Sequence, residues 1–298
     1  MPMDLLFSPP PEIEVYWFDS KEDHDLWVGN FDRSDRTVYE TELLNLLRAS
    51  NRPFFLFKAE CINCIGESHF LLDTRYGQGH LEDGYFQPNW RERLICSKCN
   101  LSNRARFVYS LIQSLPKDSK IWITEQDTSL FRSINPLFTR LIGSEYLSGV
   151  TISGTINENG IRHEDINQSS FQDESLNSVV CLDVLEHVPN SRTAIQELFR
   201  VLQREGIVIA SFPFERDSLN TTERAAKNPD GSISYFAPPE YHGNPLLKED
   251  ILCYRHFGWD VIEKFKSVGF STVKIGFGWS KRFAHLGPEQ IVLVAQKR

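Results

Sequence analysis

No run of about 18 apolar residues occurs anywhere in the 298-residue sequence, so no membrane-spanning helix is expected. The opening stretch, MPMDLLFSPPPEIEVYW, holds acids and prolines and has no basic cluster ahead of an apolar core, so it does not read as a secretory signal. Positive charge is in deficit: 32 Lys and Arg against 40 Asp and Glu leave a net charge of −8. Nucleic-acid binding draws on a basic stripe that displaces counterions. Here basic residues gather only locally, at Arg91 and Arg93 and at Arg104 and Arg106, and a nucleic-acid substrate is disfavoured. Internal repeats are missing. With 41% apolar and 24% charged residues, the chain is neither a collagen nor a disordered tail. Six cysteines in this length do not make a disulfide-dense miniprotein. What remains is a cytoplasmic protein of one large or two modest domains, in a compartment where thiols stay reduced.

Four of the six cysteines form two pairs, Cys61-x-x-Cys64 and Cys96-x-x-Cys99, with 31 residues between them. Such a pair delivers two sulfurs from one turn, and two pairs close a tetrahedral Cys₄ site. A closed site of this kind holds structural Zn²⁺, because a catalytic zinc keeps one position open for water. The zinc would compensate for a weak core in a loop-rich N-terminal module. A redox dithiol and unpaired core thiols are the alternatives; the first calls for one such pair beside a βαβ unit. His69 and His80 lie between the pairs as substitute ligands, and Cys181 and Cys253 read as buried bystanders.

The first ~115 residues show no sustained α/β rhythm. Leu43, Leu44, Leu46 and Leu47 suggest a short helix, residues 54–57 are a short apolar run, and Gly77, Gly79, Gly84 and Pro88 punctuate a loop. Asn103 can cap a helix bearing Phe107, Val108, Leu111, Ile112 and Leu115, which Pro116 ends. From Lys120 the rhythm changes. Strands are expected at 120–124, 141–145, 161–163, 178–182, 207–211, 271–277 and 290–296. Helices are expected near 129–134, 191–203 and 259–268, the second stopped by Gly206 and the third by Gly269. Alternating strands and helices mean a mostly parallel sheet covered on both faces, with the last two strands as an antiparallel hairpin. The expected division is a zinc-binding module over 1–116 and an α/β domain over 117–298.

One segment is more specific. Ser175-Leu-Asn-Ser-Val-Val-Cys-Leu-Asp183-Val-Leu-Glu186-His187-Val-Pro189 is followed by Ile195-Gln-Glu-Leu-Phe-Arg-Val-Leu202 and by a glycine-led strand at Gly206. This closely resembles class I S-adenosylmethionine-dependent methyltransferases, in which a buried fourth strand ends on an acid followed by a Leu-Glu-His-Val turn. The resemblance covers Lys120 to the C-terminus. It implies a Rossmann-like, seven-stranded doubly wound sheet with its ligand beyond the carboxyl ends of the central strands. It also implies cofactor-binding residues. Glu145 would meet the ribose hydroxyls, since one carboxylate can accept from two vicinal donors. Asp165 would meet the adenine amino group, with Ile166 packed on the ring, and Asp183 would lie beside the methionine moiety. One departure stands out: the family's glycine-rich first turn is replaced by Thr124-Glu125-Gln126-Asp127, without glycine. Either Glu125 and Gln126 contact the cofactor through a differently shaped loop, which is the reading adopted, or binding has been lost and the domain is a non-catalytic binding protein. The Thr-Glu turn, the Ser144-Glu145-Tyr146 strand end and the N-terminal Cys module together resemble methyltransferases encoded near polysaccharide or natural-product genes.

For transfer to oxygen a base must remove the acceptor proton. His187, just past the fourth strand, is the first candidate and His242 the second, since a neutral imidazole suits proton removal near pH 7. Asp183-x-x-Glu186-His187 also resembles the Glu-x-x-Glu-His site of ubiquinone-pathway O-methyltransferases, which implies a divalent metal, with the shorter Asp as a difference. The long connection after Pro213 carries Tyr235, Phe236, Glu240, Tyr241, His242, Asn244 and Pro245, then Tyr254 and His256. Rings beside polar groups suit a sugar or an aromatic acceptor. The expectation is O-methylation of a small-molecule or saccharide acceptor. A nucleic-acid methyltransferase reading its substrate through the zinc module is the further alternative. The oligomeric state is open.

Overall fold

A computed structural model of the chain describes residues 9–50, 52–74, 80–82, 85–243 and 250–298. The expected punctuation at Gly77, Gly79 and Gly84, the loop residues Asn244 and Pro245, and the first eight residues lie outside the described residues. No helix among the described residues is long and apolar enough to cross a membrane.

Three N-terminal elements come first: β1 (Glu14–Phe18), α1 (Lys21–Asn30) and α2 (Ser34–Ala49). Ser20 caps α1 by accepting from the Asp23 amide, and Glu22 and Asp23 fill the first turn, where the helix dipole favours acids. A small antiparallel sheet follows, built of β2 (Phe54–Cys61), β3 (Gly66–Asp73) and β4 (Ile95–Cys96) in that order. Its buried face carries Phe57, Phe70, Leu72 and Leu94, packed with Leu43 and Leu47 of α2. The same cluster takes in Trp279, Ala284 and Leu286 from the far end of the chain.

The large sheet starts after α3 (Asn103–Ile112). Its parts are β5 (Lys120–Ile123), α4 (Ser129–Ile134), β6 (Arg140–Gly143), β7 (Leu176–Leu182), α5 (Ser191–Val201) and β8 (Leu202–Ser211). Short strands β9 (Tyr241–Gly243), β10 (Asp250–Leu252) and β11 (Arg255–His256) then precede α6 (Val261–Lys266), β12 (Thr272–Ser280) and β13 (His285–Gln296). The sheet order is β1-β12-β13-β8-β7-β5-β6. β6, β5, β7 and β8 are mutually parallel, and β13, β12 and β1 run antiparallel. Alternation sorts the side chains. Val179 and Cys181 face a core shared with α5 and α6, whereas Val180 and Leu182 face one shared with α3 and α4. Cys181 and Cys253 are indeed buried, free thiols.

The strand count of seven holds, but the membership differs from expectation. Residues 161–163 form no extended strand: isolated bridges join His163 to Glu145 in parallel and Arg162 to Ile156 antiparallel. Side chains add to these backbone bonds, with the Arg162 amide donating to Gln126 Oε1 (2.8 Å) and the Arg162 guanidinium to Glu164 (2.7 Å). The seventh strand is β1, which pairs with β12 at the other edge and lays Trp17 against Gly276. A Cβ at Gly276 would stand 2.6 Å from the Trp17 ring, so only glycine admits that ring.

Three local expectations are corrected. Ser102, not Asn103, caps α3 by accepting from the Ala105 amide. Asn103 is the first helical residue, and its buried amide donates to Trp90 O (3.1 Å) and Leu286 O (2.9 Å). α5 ends at Val201, where Leu202 turns directly into β8, so Gly206 lies within a strand rather than stopping a helix. α6 is shorter than expected, although Gly269 does take a left-handed φ of 128° just beyond it.

Candidate active site

The carboxyl ends of β5, β6 and β7 stand side by side, and the strand order reverses between β5 and β7. That reversal opens a crevice for a ligand. Beyond β5 the glycine-free turn is closed by its neighbour. Glu145 Oε1 accepts from the amides of Gln126 (2.6 Å) and Asp127 (3.0 Å). Thr128 caps α4 by accepting from the Phe131 amide (3.1 Å) and donates to Glu125 Oε1 (2.7 Å). Gln126 spends its side chain on stitching, with Nε2 donating to Gly160 O (2.9 Å) and Oε1 accepting from the Arg162 amide (2.8 Å). A glycine on β6 packs tightly against this turn. A Cβ on Gly143 would stand 2.5 Å from the Phe131 ring and 3.0 Å from Glu125 O. Burial pushes the Glu125 and Glu145 carboxyls above their ordinary values; Thr128 offsets this at Glu125, and the two amides do so at Glu145.

The adenine-side candidates are placed differently from each other. Asp165 Oδ1 accepts from the amide (2.8 Å) and side chain (2.9 Å) of Asn167, an Asx turn that fixes its orientation. Ile166 is 7% exposed and belongs to the core cluster of Trp122 and Phe171.

Asp183 directly follows β7 and takes a left-handed conformation (φ 51°). Ser211 Oγ donates to it (2.9 Å), and Arg91 Nη2 (2.6 Å) and Arg104 Nη2 (3.4 Å) pair with it. Burial raises this carboxyl, but Arg104 and Arg91 outweigh burial and hold it well below the usual carboxylate range. Glu92 lies between the arginines, accepting from Arg104 Nε at 3.0 Å and pairing with Arg91. Sequence reasoning treated these arginines only as local charge. The usable signal was their repetition as two Arg-x-Arg pairs. In each pair one member is structural: Arg93 pairs with Asp73, and the buried Arg106 donates to the carbonyls of Leu94, Leu101 (3.1 Å) and Ala284 (2.7 Å). The other member, Arg91 or Arg104, turns towards Asp183.

His187 closes a short 3₁₀ turn, Leu185–His187. Arg255 on β11 braces that turn, donating to Leu185 O (3.1 Å), Val188 O and Pro189 O (2.8 Å). His187 Nδ1 bonds Leu252 O on β10 (2.9 Å), and Nε2 stands 3.2 Å from Nδ1 of His242 on β9. His242 Nε2 in turn bonds Glu240 Oε1 (3.0 Å), which His256 Nε2 also reaches (3.2 Å). Burial lowers the His187 pKa, with a bond to Leu252 O opposing it. The two histidines named from sequence are thus brought together across 55 residues. Glu240, which joins them to His256, was visible only as one more acid in an aromatic loop. Glu186 is 1% exposed, and neither of its carboxylate oxygens has a hydrogen-bond partner among the described residues. Asp183, the remaining acid of that motif, is turned to the arginines and does not join Glu186 and His187.

The four cysteines of the pairs converge. Cys61 Sγ lies 3.7 Å from Cys99 Sγ and Cys64 Sγ 3.8 Å from Cys96 Sγ, with all four sulfurs within 4.8 Å of one another. Bonds of about 2.3 Å at tetrahedral angles put sulfurs about 3.8 Å apart, so this spacing fits a Cys₄-bound Zn²⁺. Both knuckles share one device: the residue after the second cysteine, Ile65 (φ 52°) or Asn100 (φ 58°), is left-handed and reverses the chain. His69 is outside the cluster.

The sequence profile of a family described as "Methyltransferase domain" matches residues 141–210, the stretch from β6 through Asp183 and His187 to β8. No curated protein matches the chain. Among solved structures, an S-adenosylmethionine-dependent methyltransferase from Mesorhizobium loti aligns at 12% identity over 65% of this chain and 98% of its own, with a TM-score of 0.40. The glycopeptide N-methyltransferase MtfA, crystallised with sinefungin, aligns at 14% identity over 65% of this chain and 92% of its own, with a TM-score of 0.41.

Proposed function

The chain carries a class I S-adenosylmethionine-dependent methyltransferase domain, and from that premise we propose that it methylates a hydroxyl of a small-molecule or saccharide acceptor. The observation that carries this reading is the imidazole pair His187 and His242, 3.2 Å apart beside the end of β7. Bound S-adenosylmethionine supplies an electrophilic sulfonium methyl and leaves as S-adenosylhomocysteine. The chain's own residues do the rest. Glu145, with Oε1 engaged by the first turn, would offer Oε2 to the ribose hydroxyls, and Asp165 would meet the adenine amino group. Glu125 and Gln126 shape the turn that would carry the cofactor. Asp183 with Arg91 and Arg104 presents both signs of charge, which matches the ammonium and carboxylate of the methionine part.

His187 holds a lone pair on Nε2 because Leu252 O can only accept, so the proton sits on Nδ1. That nitrogen takes the acceptor proton, and His242 and Glu240 hold the imidazole in place. Tyr235, Phe236 and Tyr241, all at least 46% exposed, offer rings for a sugar or aromatic face. The cysteine cluster would hold a structural Zn²⁺, and the division into 1–116 and 117–298 is part of the same proposal. Measuring S-adenosylhomocysteine release over paired hydroxyl and amine acceptors, phenolic and saccharide, tests the reading. Turnover confined to hydroxyl acceptors supports it, and turnover of the amines alone overturns it.

A further inference from the structure

Away from the imidazole pair, three guanidiniums converge on one carboxylate. Arg33 directly precedes α2, Arg36 lies in its first turn, and Arg216 follows β8. Arg33 Nε (3.1 Å) and Nη2 (2.9 Å) and Arg36 Nη1 (3.2 Å) donate to Oε1 of Glu289 on β13, and Arg216 Nη1 (3.2 Å) donates to Oε2. The Glu289 side chain is only 4% exposed. These four residues border a cavity of about 270 Å³, with Glu40, Trp279 and Gly287 in its wall. Aromatic faces fix the planes of the guanidiniums: Arg33 lies over Trp27 (4.8 Å to the ring centre), Arg36 over Trp279 (4.5 Å) and Arg216 over Phe277 (5.6 Å).

One carboxylate cannot serve three guanidiniums. Each guanidinium carries five N–H groups, and a carboxylate offers about four acceptor sites. Arg36 finds a second acid, because its Nη2 donates to Glu14 Oε2 (2.6 Å). Arg33 and Arg216 have only Glu289 among the described residues, so Arg33 Nη1 and Arg216 Nε and Nη2 have no acceptor there. Glu40 bonds neither of them, since its Oε1 accepts from Trp279 Nε1 (2.8 Å) and the Gly287 amide (2.7 Å). Two positive charges therefore share one negative charge. The Arg33 and Arg216 side chains are 31% and 29% exposed, so this surplus is open to a ligand, in a chain whose net charge is −8.

We propose that this cavity receives the phosphate group of a small-molecule ligand, held by Arg33 and Arg216. The two arginines come from separate segments and hold opposite oxygens of one carboxylate. A tetrahedral anion with oxygens on several faces matches that arrangement better than a planar group does. The cavity volume is close to that of a small-ligand pocket. Its place in the fold is informative. β13 runs antiparallel to β8 with Leu293 opposite Ala210, which puts Glu289 beyond the carboxyl end of β8, the end of the sheet that carries Asp183. Trp90 packs so closely on Gly287 that a Cβ there would stand 2.2 Å from its ring, and the next residue, Arg91, reaches Asp183. Resting on the proposed methyl transfer, the ligand class is a phosphorylated acceptor such as a sugar phosphate; phosphate binding itself does not rest on it.

The test uses no methyl donor. Full-length, zinc-loaded protein is titrated calorimetrically with inorganic phosphate, glucose 1-phosphate and glucuronate at constant ionic strength. The expected result is saturable one-to-one binding of both phosphates and weaker binding of glucuronate. Arg33→Gln and Arg216→Gln should each weaken phosphate binding about tenfold or more. Arg204→Gln, at an exposed arginine elsewhere, should leave it unchanged. Each of the first two variants leaves Glu289 two arginines, so the fold is kept, which circular dichroism checks. Glu289→Gln removes the competing anion, so phosphate should bind it more tightly and raise its melting temperature by more than that of the wild type. An internal ion-pair network without a ligand predicts no phosphate effect in any of these proteins. No saturable phosphate binding by the folded wild type, or equal affinity in the wild type and both cavity variants, overturns the inference. Uptake of inorganic phosphate without glucose 1-phosphate overturns the small-molecule ligand, and a preference for glucuronate overturns the phosphate assignment. Loss of methyl transfer with phosphate binding intact would count against the proposed function alone.

Discussion

The cysteine cluster and the Glu186, His187 and His242 cluster are both sets of donor atoms within 4.8 Å, yet they are built in opposite ways. The first takes all four donors from two copies of one turn, each closed by a left-handed residue. Its sulfurs surround a single point and leave no position for a ligand. The second takes donors from a 3₁₀ turn and a strand far along the chain, is fenced by acids, and stays open on one side. A closed set of four soft donors serves architecture, and an open mixed set can serve chemistry. Arg91 links the two regions, since it lies between β3 and β4 of the cysteine-bearing lobe and ends on Asp183, three residues before Glu186.

The largest expected effect falls on the closed cluster. Cys96→Ser should abolish zinc binding and lower the melting temperature steeply, because a structural zinc contributes on the order of 10 kcal/mol to folding of its module. One zinc per chain by atomic emission with unchanged melting would remove the distinction between the clusters. Next comes the open cluster. His187→Ala should lower kcat by about 10²–10⁴ with little change in melting. A merely structural His187 would show the reverse. The pH profile sharpens the same point. Burial lowers the His187 pKa, so the imidazole is neutral at pH 7 and kcat should fall only as pH drops below the ordinary histidine range. Glu145→Ala should weaken S-adenosylmethionine binding by calorimetry roughly tenfold or more, about 1.4 kcal/mol per decade, since the first turn loses its acceptor along with the ribose. Unchanged affinity would refute that role. The smallest effect belongs to the link. Asp183 has a depressed carboxyl pKa, so its contribution to stability is present above the ordinary carboxylate range and is lost as pH falls through the lower, folded value. Arg91→Ala should therefore move the acid-unfolding midpoint to higher pH. Because Arg91 is 36% exposed, the change near neutrality should stay below about 1 kcal/mol.

Much of this was readable from residue order. The two Cys-x-x-Cys turns, the buried strand before Asp183, the helix with Ile195 and Leu198 on one face and the terminal hairpin all depend on spacing within short windows, where chain geometry dictates the outcome. The glycine-free first turn was readable as a departure but not as a solution. Its solution lies on a neighbouring strand, where Gly143 admits Phe131 and Glu145 accepts the turn's amides. β1 is not legible because its partner, β12, lies more than 250 residues away, and residues 161–163 fall short of a strand because single bridges to two different segments, at Glu145 and Ile156, hold them in place of a continuous ladder.

The sequence by itself determined the donor types, the two knuckles and the order of strands that carries acids to one edge of the sheet, because hydrophobic period and turn chemistry are local. Only the tertiary structure decided which donors meet. Asp183 was drawn to Arg91 and Arg104, and His187 was paired with His242. Those choices follow from Coulomb attraction and hydrogen-bond geometry between segments that only the packed sheet brings within a few ångströms.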